Sequence, residues 1–338
     1  MSDFDFSSGN AFELKIEKER KEIEDSYDYK IFEKERYFYM NENTGELYYD
    51  PNSILKNIHW GQLKLFMSEL FALTYHADED LKDLLYIGAA PGSHICVLAE
   101  FFTDITFHLY DSRKFDQRLY KMKNVKINKR YFDEKDIKYW ESRKKFFLVS
   151  DIRTLTYSAN ADNDETRVKN EESVWSDMKL QERWIETLKP SLSLIKFRLP
   201  FAYDFVLKEG RSRKYLDGNV CFQVYNKPTS SETRLLVKDI SYKDWDIVEY
   251  ERKASYHNCI TRNKMKFINP IKENKEEIYQ KKGLFNDFDS TYFTVLVMDF
   301  IKKTGDEPSE KNTKTIIDYI LENITPYKID LNSKRSGF

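Results

Sequence analysis

A glycine-rich turn and four charged side chains hold most of the chemical information in this chain. The turn is Gly88-Ala89-Ala90-Pro91-Gly92, after the apolar run 84–87 and before a helix expected to begin near Ser93. Glycines without a Cβ let a ligand approach the backbone, and a helix N-terminus offers free N–H groups to a nucleoside-containing cofactor. The spacing is Gly-x-x-Pro-Gly and not Gly-x-Gly-x-x-Gly, so a nicotinamide dinucleotide is not the first expectation. Asp111 follows Gly88 by 23 residues. An acid at that distance suits ribose hydroxyls, or else a helix N-cap or a solvated loop. Asp151 ends the apolar run 146–150, and Glu232 opens the run 233–237. Lys196 lies inside Leu194-Ile195-Lys196-Phe197, where an amine must reach solvent from an edge strand or meet a buried partner.

These residues need strand ends to bring them together. Strands are expected at 84–87, 105–110, 125–127, 146–150, 193–197 and 235–239, from short apolar runs bounded by turn signals. Leu63, Phe66, Leu70 and Leu73 share one face of a helix over 62–75. A second helix is expected over 174–188, closed by Pro190, and a third over 315–324. Residues 154–173 are polar and read as a mobile loop. Strands alternating with helices predict an α/β protein: a Rossmann-like, doubly wound, mostly parallel sheet with helices on both faces. Ligands of such sheets bind outside the carboxyl ends of the strands, where Asp111, Asp151 and Lys196 fall.

Bulk properties narrow the class. The chain has 338 residues and a net charge of −2, which does not announce a nucleic-acid binder. Locally, residues 113–145 hold thirteen Lys/Arg against five Asp/Glu, and Lys208, Arg211, Arg213 and Lys214 form a second basic cluster. Each is either a solvated face or a track for an RNA backbone. Cys96, Cys221 and Cys259 lack the short paired spacing of a zinc site and are too few for a disulfide framework, so no metal and a reducing, cytoplasmic setting are expected. The start Met-Ser-Asp-Phe-Asp carries no secretory signal pattern, and no apolar run approaches eighteen residues.

Six blocks, in order, resemble the poxvirus cap-specific mRNA 2′-O-methyltransferase family. They are Trp60-Gly61-Gln62-Leu63-Lys64-Leu65, 86–95 around the glycine turn, Ser150-Asp151-Ile152-Arg153, Lys196-Phe197-Arg198-Leu199-Pro200-Phe201, Ser231-Glu232-Thr233-Arg234-Leu235-Leu236, and Tyr256 with Arg262-Asn263-Lys264. The likeness runs from about Tyr49 to Lys264 and leaves both termini uncovered. It implies that Lys64, Asp151, Lys196 and Glu232 form the Lys-Asp-Lys-Glu tetrad of RNA 2′-O-methyltransferases. A ribose 2′-OH is hardly ionised at neutral pH, so a lysine must take its proton or orient its lone pair. Lys196 is the candidate. Like-charge repulsion from Lys64 would favour an uncharged amine, while Asp151 and Glu232 oppose that and position both ammonium groups.

The same resemblance implies S-adenosyl-L-methionine as cofactor, held by Gln62, Tyr86, Gly88, Ala90, Gly92, His94, Asp111, Arg113, Phe132, Asp133 and Ile152, with Asp133 near the adenine. It also implies a pocket for the cationic N7-methylguanine of capped mRNA: Tyr49 and Phe201 as stacking rings, and Glu251 reading the base edge. The family's second stacker falls at Thr229 here, and Tyr225 is the candidate replacement. The gap from Tyr49 to Lys64 is shorter than in the family. An internal-site RNA 2′-O-methyltransferase shares the tetrad and the glycine turn without needing that pocket. The family also serves as the small processivity subunit of a viral poly(A) polymerase, which makes the polymerase's catalytic subunit an expected partner. The resemblance places the protein in the cytoplasmic viral factory, with packaging in the virion, and implies no membrane partner. The expected organisation is a charged arm or helix over 1–45, a methyltransferase domain over 46–270, and a helical extension with a polar tail over 271–338.

Overall fold

The computed structural model describes residues 29–48, 59–143, 145–154, 164–201, 210–227, 229–271 and 286–324. In chain order these form α1 (Lys34–Tyr37), α2 (Gly61–Tyr75), β1 (Asp83–Ile87), α3 (Ser93–Phe101), β2 (Thr106–Tyr110), β3 (Val125–Asn128), α4 (Glu134–Glu141), β4 (Phe147–Ser150), α5 (Asp164–Leu188), β5 (Leu192–Phe197), β6 (Ser212–Leu216), β7 (Asn219–Cys221), β8 (Thr233–Val237), β9 (Tyr242–Asp246), α6 (Ile247–Tyr256), α7 (Phe288–Lys303) and α8 (Glu310–Ile324). The main sheet has the order β3-β2-β1-β4-β5-β8-β7. Its first five strands are parallel, and β8 runs antiparallel to both β5 and β7. β6 and β9 pair as a separate antiparallel ribbon.

The parallel strands are apolar on both faces because helices cover both faces. Leu84 and Tyr86 of β1 join a core with Phe66 and Leu70 of α2, Ile95 of α3, Phe293 and Leu296 of α7, and Ile320 of α8. Leu85 and Ile87, one residue out of phase, join a second core with Trp140 of α4 and Met178, Trp184 and Ile185 of α5. The sheet is therefore doubly wound, as its alternating sequence pattern predicts. The strand order reverses between β1 and β4, and a crevice opens at their carboxyl ends.

One expectation changes and two others gain detail. Of residues 154–173, read as a loop, 155–163 lie outside the described residues and 164–173 are the first turns of α5, which begins at Asp164. Their polarity reflects a solvent-facing helix face, anchored at Glu171 by Arg198. The charged arm is not separate from the core where it is described. Tyr37 and Phe38 are buried against Phe267, Phe288 and Tyr292. The four arginines of the basic run and Lys145 are paired: Arg113 with Asp111, Arg118 with Asp116, Arg130 with Asp136, Arg143 with Asp83, and Lys145 with Asp80. In the second basic cluster Arg211 meets Asp246, and Arg213 is buried on backbone carbonyls. Lys208 lies outside the described residues.

Candidate functional site

The four tetrad residues come from four separate elements and meet. Lys64 lies in the first turns of α2, Asp151 just past β4, Lys196 within β5, and Glu232 just ahead of β8. Because β8 runs antiparallel to β5, its start lies beside the end of β5, which brings Glu232 to Lys196. Lys64 Nζ donates to Glu232 Oε1 at 2.7 Å, and Lys196 Nζ lies 2.9 Å from Asp151 Oδ1 and 3.8 Å from Glu232 Oε2. All four side chains are 11–19% exposed. They are shielded from bulk water but not sealed from a substrate.

Two arginines complete the cluster. Arg234, 3% exposed within β8, donates to Asp151 Oδ1 at 2.7 Å and lies 3.8 Å from Glu232. Arg153 donates to Glu232 Oε2 at 3.0 Å. Neither was given a role from sequence, although Arg234 bears the signal that marked Lys196: a charge within an apolar strand, here Thr233-Arg234-Leu235-Leu236. Burial works against ionisation of Asp151, but the Lys196 and Arg234 cations hold its carboxyl down at about 2. Burial also opposes the Glu232 charge, and Lys196, Lys64, Arg234 and Arg153 hold its carboxyl well below the usual range. Burial pushes the Lys64 ammonium below its usual value; Glu232 pulls it back up, and Arg234 pushes it further down.

Lys196 and Asp151 also line a cavity of about 650 Å³ at the carboxyl ends of β1, β2 and β4. This is the size range of a cofactor site. Gly88, Asp111, Arg113, Phe132 and Ile152 line it, as expected, together with Tyr131, Leu180 and Trp184, which sequence reasoning missed. Gly88 has φ +85°, and a Cβ there would meet the Asp151 carbonyl oxygen at 2.9 Å. Asp111 is not a helix cap. Its carboxylate accepts from the Ala90 N–H at 3.1 Å, and from the Arg113 N–H and guanidinium. Burial would raise its carboxyl, but the Arg113 and backbone hydrogen bonds hold it low.

The other predicted cofactor residues are not among those that line the cavity. Gln62 Oε1 accepts from Ser93 and lies 2.9 Å from His94 Nδ1; Tyr86 donates to Glu69, which also approaches His94. That buried network clamps α2 to α3 and fixes the glycine turn. Gly92 caps α3 at φ +71°. Asp133 is outside the cavity lining, because its carboxylate caps α4, accepting from the Lys135 and Asp136 N–H groups.

The cap residues are only partly assembled. Tyr49 lies outside the described residues. Phe201 is half-buried with the Arg198 guanidinium 4.5 Å over its ring, and its N–H donates to Glu171. Glu251 is half-buried on α6. Tyr225 is not a free stacking ring, contrary to expectation. It is 4% exposed, stacks on Trp60 at 5.5 Å, and meets the edge of Phe293. Spacing along the chain could not reveal that this aromatic turns inward.

Sheet order, a cofactor-sized crevice at the strand switch point and a lysine–carboxylate cluster at its mouth define a Rossmann-like protein of the methyltransferase fold. The chain belongs to the family described as the Poly A polymerase regulatory subunit, which matches residues 32–325. Two relatives are named cap-specific mRNA (nucleoside-2′-O-)-methyltransferase. The one from Myxoma virus (strain Lausanne) is 30% identical over 252 residues, covering 68% of this chain and 70% of the relative. The one from Fowlpox virus (strain NVSL) is 32% identical over 251 residues, covering 68% and 77%.

Proposed function

We propose that the protein transfers a methyl group from S-adenosyl-L-methionine to the ribose 2′-OH of the first transcribed nucleotide of capped mRNA. The observation that carries this reading is the cluster of Lys64, Asp151, Lys196 and Glu232 at the mouth of the 650 Å³ cavity. The cavity suits the cofactor. Its Gly88 wall has no room for a side chain, Asp111 offers carboxylate oxygens to ribose hydroxyls, and Phe132 and Ile152 supply apolar faces for adenine. When bound, the sulfonium supplies an electrophilic methyl group, and no metal is needed.

The chain's own residues handle the nucleophile. Lys196, fixed by Asp151 at 2.9 Å, engages the 2′-OH and either directs its lone pair or takes its proton. Lys64, Arg153 and Arg234 surround the same point, so even with Lys196 uncharged three cations face two carboxylates. That surplus stabilises negative charge developing on the ribose oxygen, at a site already ordered before reaction. Cap recognition rests on Phe201, Tyr49 and Glu251. Three buried free thiols, Cys96, Cys221 and Cys259, fit a reducing cytoplasmic place of action.

The decisive assay follows methyl transfer to N7-methylated capped, unmethylated capped and uncapped RNA. Transfer confined to capped RNA, at the 2′ position, is expected. Equal transfer to uncapped RNA would favour an internal-site methyltransferase. The family description supports a second role, as the regulatory partner of a poly(A) polymerase catalytic subunit. Co-purification with that subunit and longer tails in its presence would test it.

A further inference from the structure

The Lys64–Glu232 half of the cluster is braced by buried polar groups that play no part in the chemistry above. Glu232 is reached from segment 223–227: Asn226 Nδ2 donates to the Glu232 carbonyl at 2.9 Å. The same segment reaches Lys64. The Tyr225 carbonyl accepts from the Trp60 N–H at 2.9 Å, and the Trp60 carbonyl accepts from the Lys64 N–H at 2.8 Å. Gln223 adds a second strut, donating to Ser68 Oγ, which donates to the Lys64 carbonyl. Tyr225 holds φ +56° in this segment, a conformation a bulky residue keeps only where its surroundings impose it.

Arg262 and Asp289 impose it. Both are almost wholly buried, at 1% and 3% exposure. Arg262 grips Asp289 through two bonds, Nε to Oδ1 at 2.8 Å and Nη2 to Oδ2 at 2.6 Å. Asp289 Oδ2 also accepts the Tyr225 N–H at 3.1 Å, and Arg262 Nη2 donates to the Asn226 carbonyl at 3.2 Å. Arg262 Nη1 donates to Asn258 Oδ1, whose amide donates to the Ser230 carbonyl. A π-turn over His257–Thr261 precedes Arg262, whose N–H bonds the His257 carbonyl. Such turns are frequent at functional sites. Asp289 lies in the first turn of α7, so the grip ties the C-terminal helices to the residues around Glu232.

We propose that the Arg262–Asp289 pair is a positioning element for Lys64 and Glu232, through which the C-terminal helices set the catalytic geometry. The proposal rests on the methyl-transfer reading, and its test separates the two. Asp289→Asn keeps the shape and an acceptor while removing the charge. Asn226→Ala cuts the strut to Glu232 without touching a buried charge. In both, kcat should fall about tenfold or more, while the KM for capped RNA and the calorimetric Kd for S-adenosyl-L-methionine stay within about twofold. The titration of the Lys64 side-chain carbon, followed by NMR on isotope-labelled lysine, should shift as well. A residue that merely supports folding would lower the unfolding midpoint and leave kcat per folded molecule and the Lys64 titration unchanged. That result in the folded variants overturns the proposal. If Asp289→Asn does not fold, Arg262→Lys, which keeps the buried charge and loses the two-pronged grip on Asp289, decides in its place. If the wild-type protein methylates no capped RNA, the functional reading fails, and the Lys64 titration still judges the positioning claim.

Discussion

Replacing Gly88 with alanine would place a methyl group against the backbone that carries Asp151. The new Cβ would meet the Asp151 carbonyl oxygen at 2.9 Å, its carbon at 3.0 Å and the Ile152 nitrogen at 3.1 Å. Relief requires a shift of about 0.5 Å, from 2.9 Å to an ordinary 3.4 Å contact. Those neighbours are backbone atoms, so no side chain can swing away. The φ of +85° adds strain of roughly 1–2 kcal/mol for a residue with a Cβ. Crowding of a packed site adds roughly 1–3 kcal/mol. Together they destabilise the fold by about 2–5 kcal/mol, visible as a lower urea midpoint at unchanged slope. Asp151 fixes Lys196 at 2.9 Å, so the same shift misaligns the amine. Misplacement on this scale costs of the order of tenfold in kcat. Unfolding curves, calorimetric titration with S-adenosyl-L-methionine and single-turnover methyl transfer measure the three effects. An alanine variant with wild-type midpoint, cofactor affinity and turnover would refute the placement of Gly88 against the cofactor and the catalytic backbone.

Lys196→Ala should abolish methyl transfer while the cofactor Kd changes only a few-fold; near-wild-type turnover would remove the lysine from the mechanism. Phe201→Ala should erase a preference for N7-methylated over unmethylated caps of roughly 0.5–2 kcal/mol, leaving cofactor affinity intact. With Tyr225 buried, equal wild-type rates on both cap forms would count directly against a cap pocket on Phe201. Asp287 caps α7, and burial together with the Asp289 carboxylate raises its own carboxyl to about 7. A raised carboxyl binds its proton more tightly folded than unfolded, so stability declines as pH rises from about 4 to 7. Asp287→Asn keeps the cap, removes that decline, and should gain stability over wild type at pH 8; parallel stability–pH curves would contradict it. Asp151 has the opposite sign. Its carboxyl is held near 2, so its contribution is present above pH 4 and lost on acidification toward pH 2. Asp151→Asn should flatten that acid limb of the unfolding curve.

The parallel half of the sheet was legible because strands buried on both faces read as apolar runs, β1 and β4 above all. The ribbon of β6 and β9 was not, since Ser212-Arg213-Lys214 and Tyr242-Lys243-Asp244 carry mostly polar side chains and form no apolar run. The first turns of α5 escaped for a related reason: few of their side chains face the core. At the site, the family resemblance named four of the six residues that meet in the charged cluster, Lys64, Asp151, Lys196 and Glu232. Residue types and order could not reveal Arg153 bonding Glu232, because that contact depends on side-chain reach between segments 79 residues apart. Nor could they reveal that Tyr225 turns inward at positive φ to stack on Trp60.

The sequence spread of the cluster has a consequence for biosynthesis. Most of the cavity wall, from Ile87 to Ile152 and on to Trp184, precedes Lys196 in the chain. Glu232 follows Ile152 by about 80 residues, which at roughly 5–20 residues per second takes several seconds to translate. β8 must then insert antiparallel beside β5, and Asp289 must emerge before Arg262 finds its partner. A nascent chain therefore carries most of the residues that line the cavity well before those that complete the charged cluster are made.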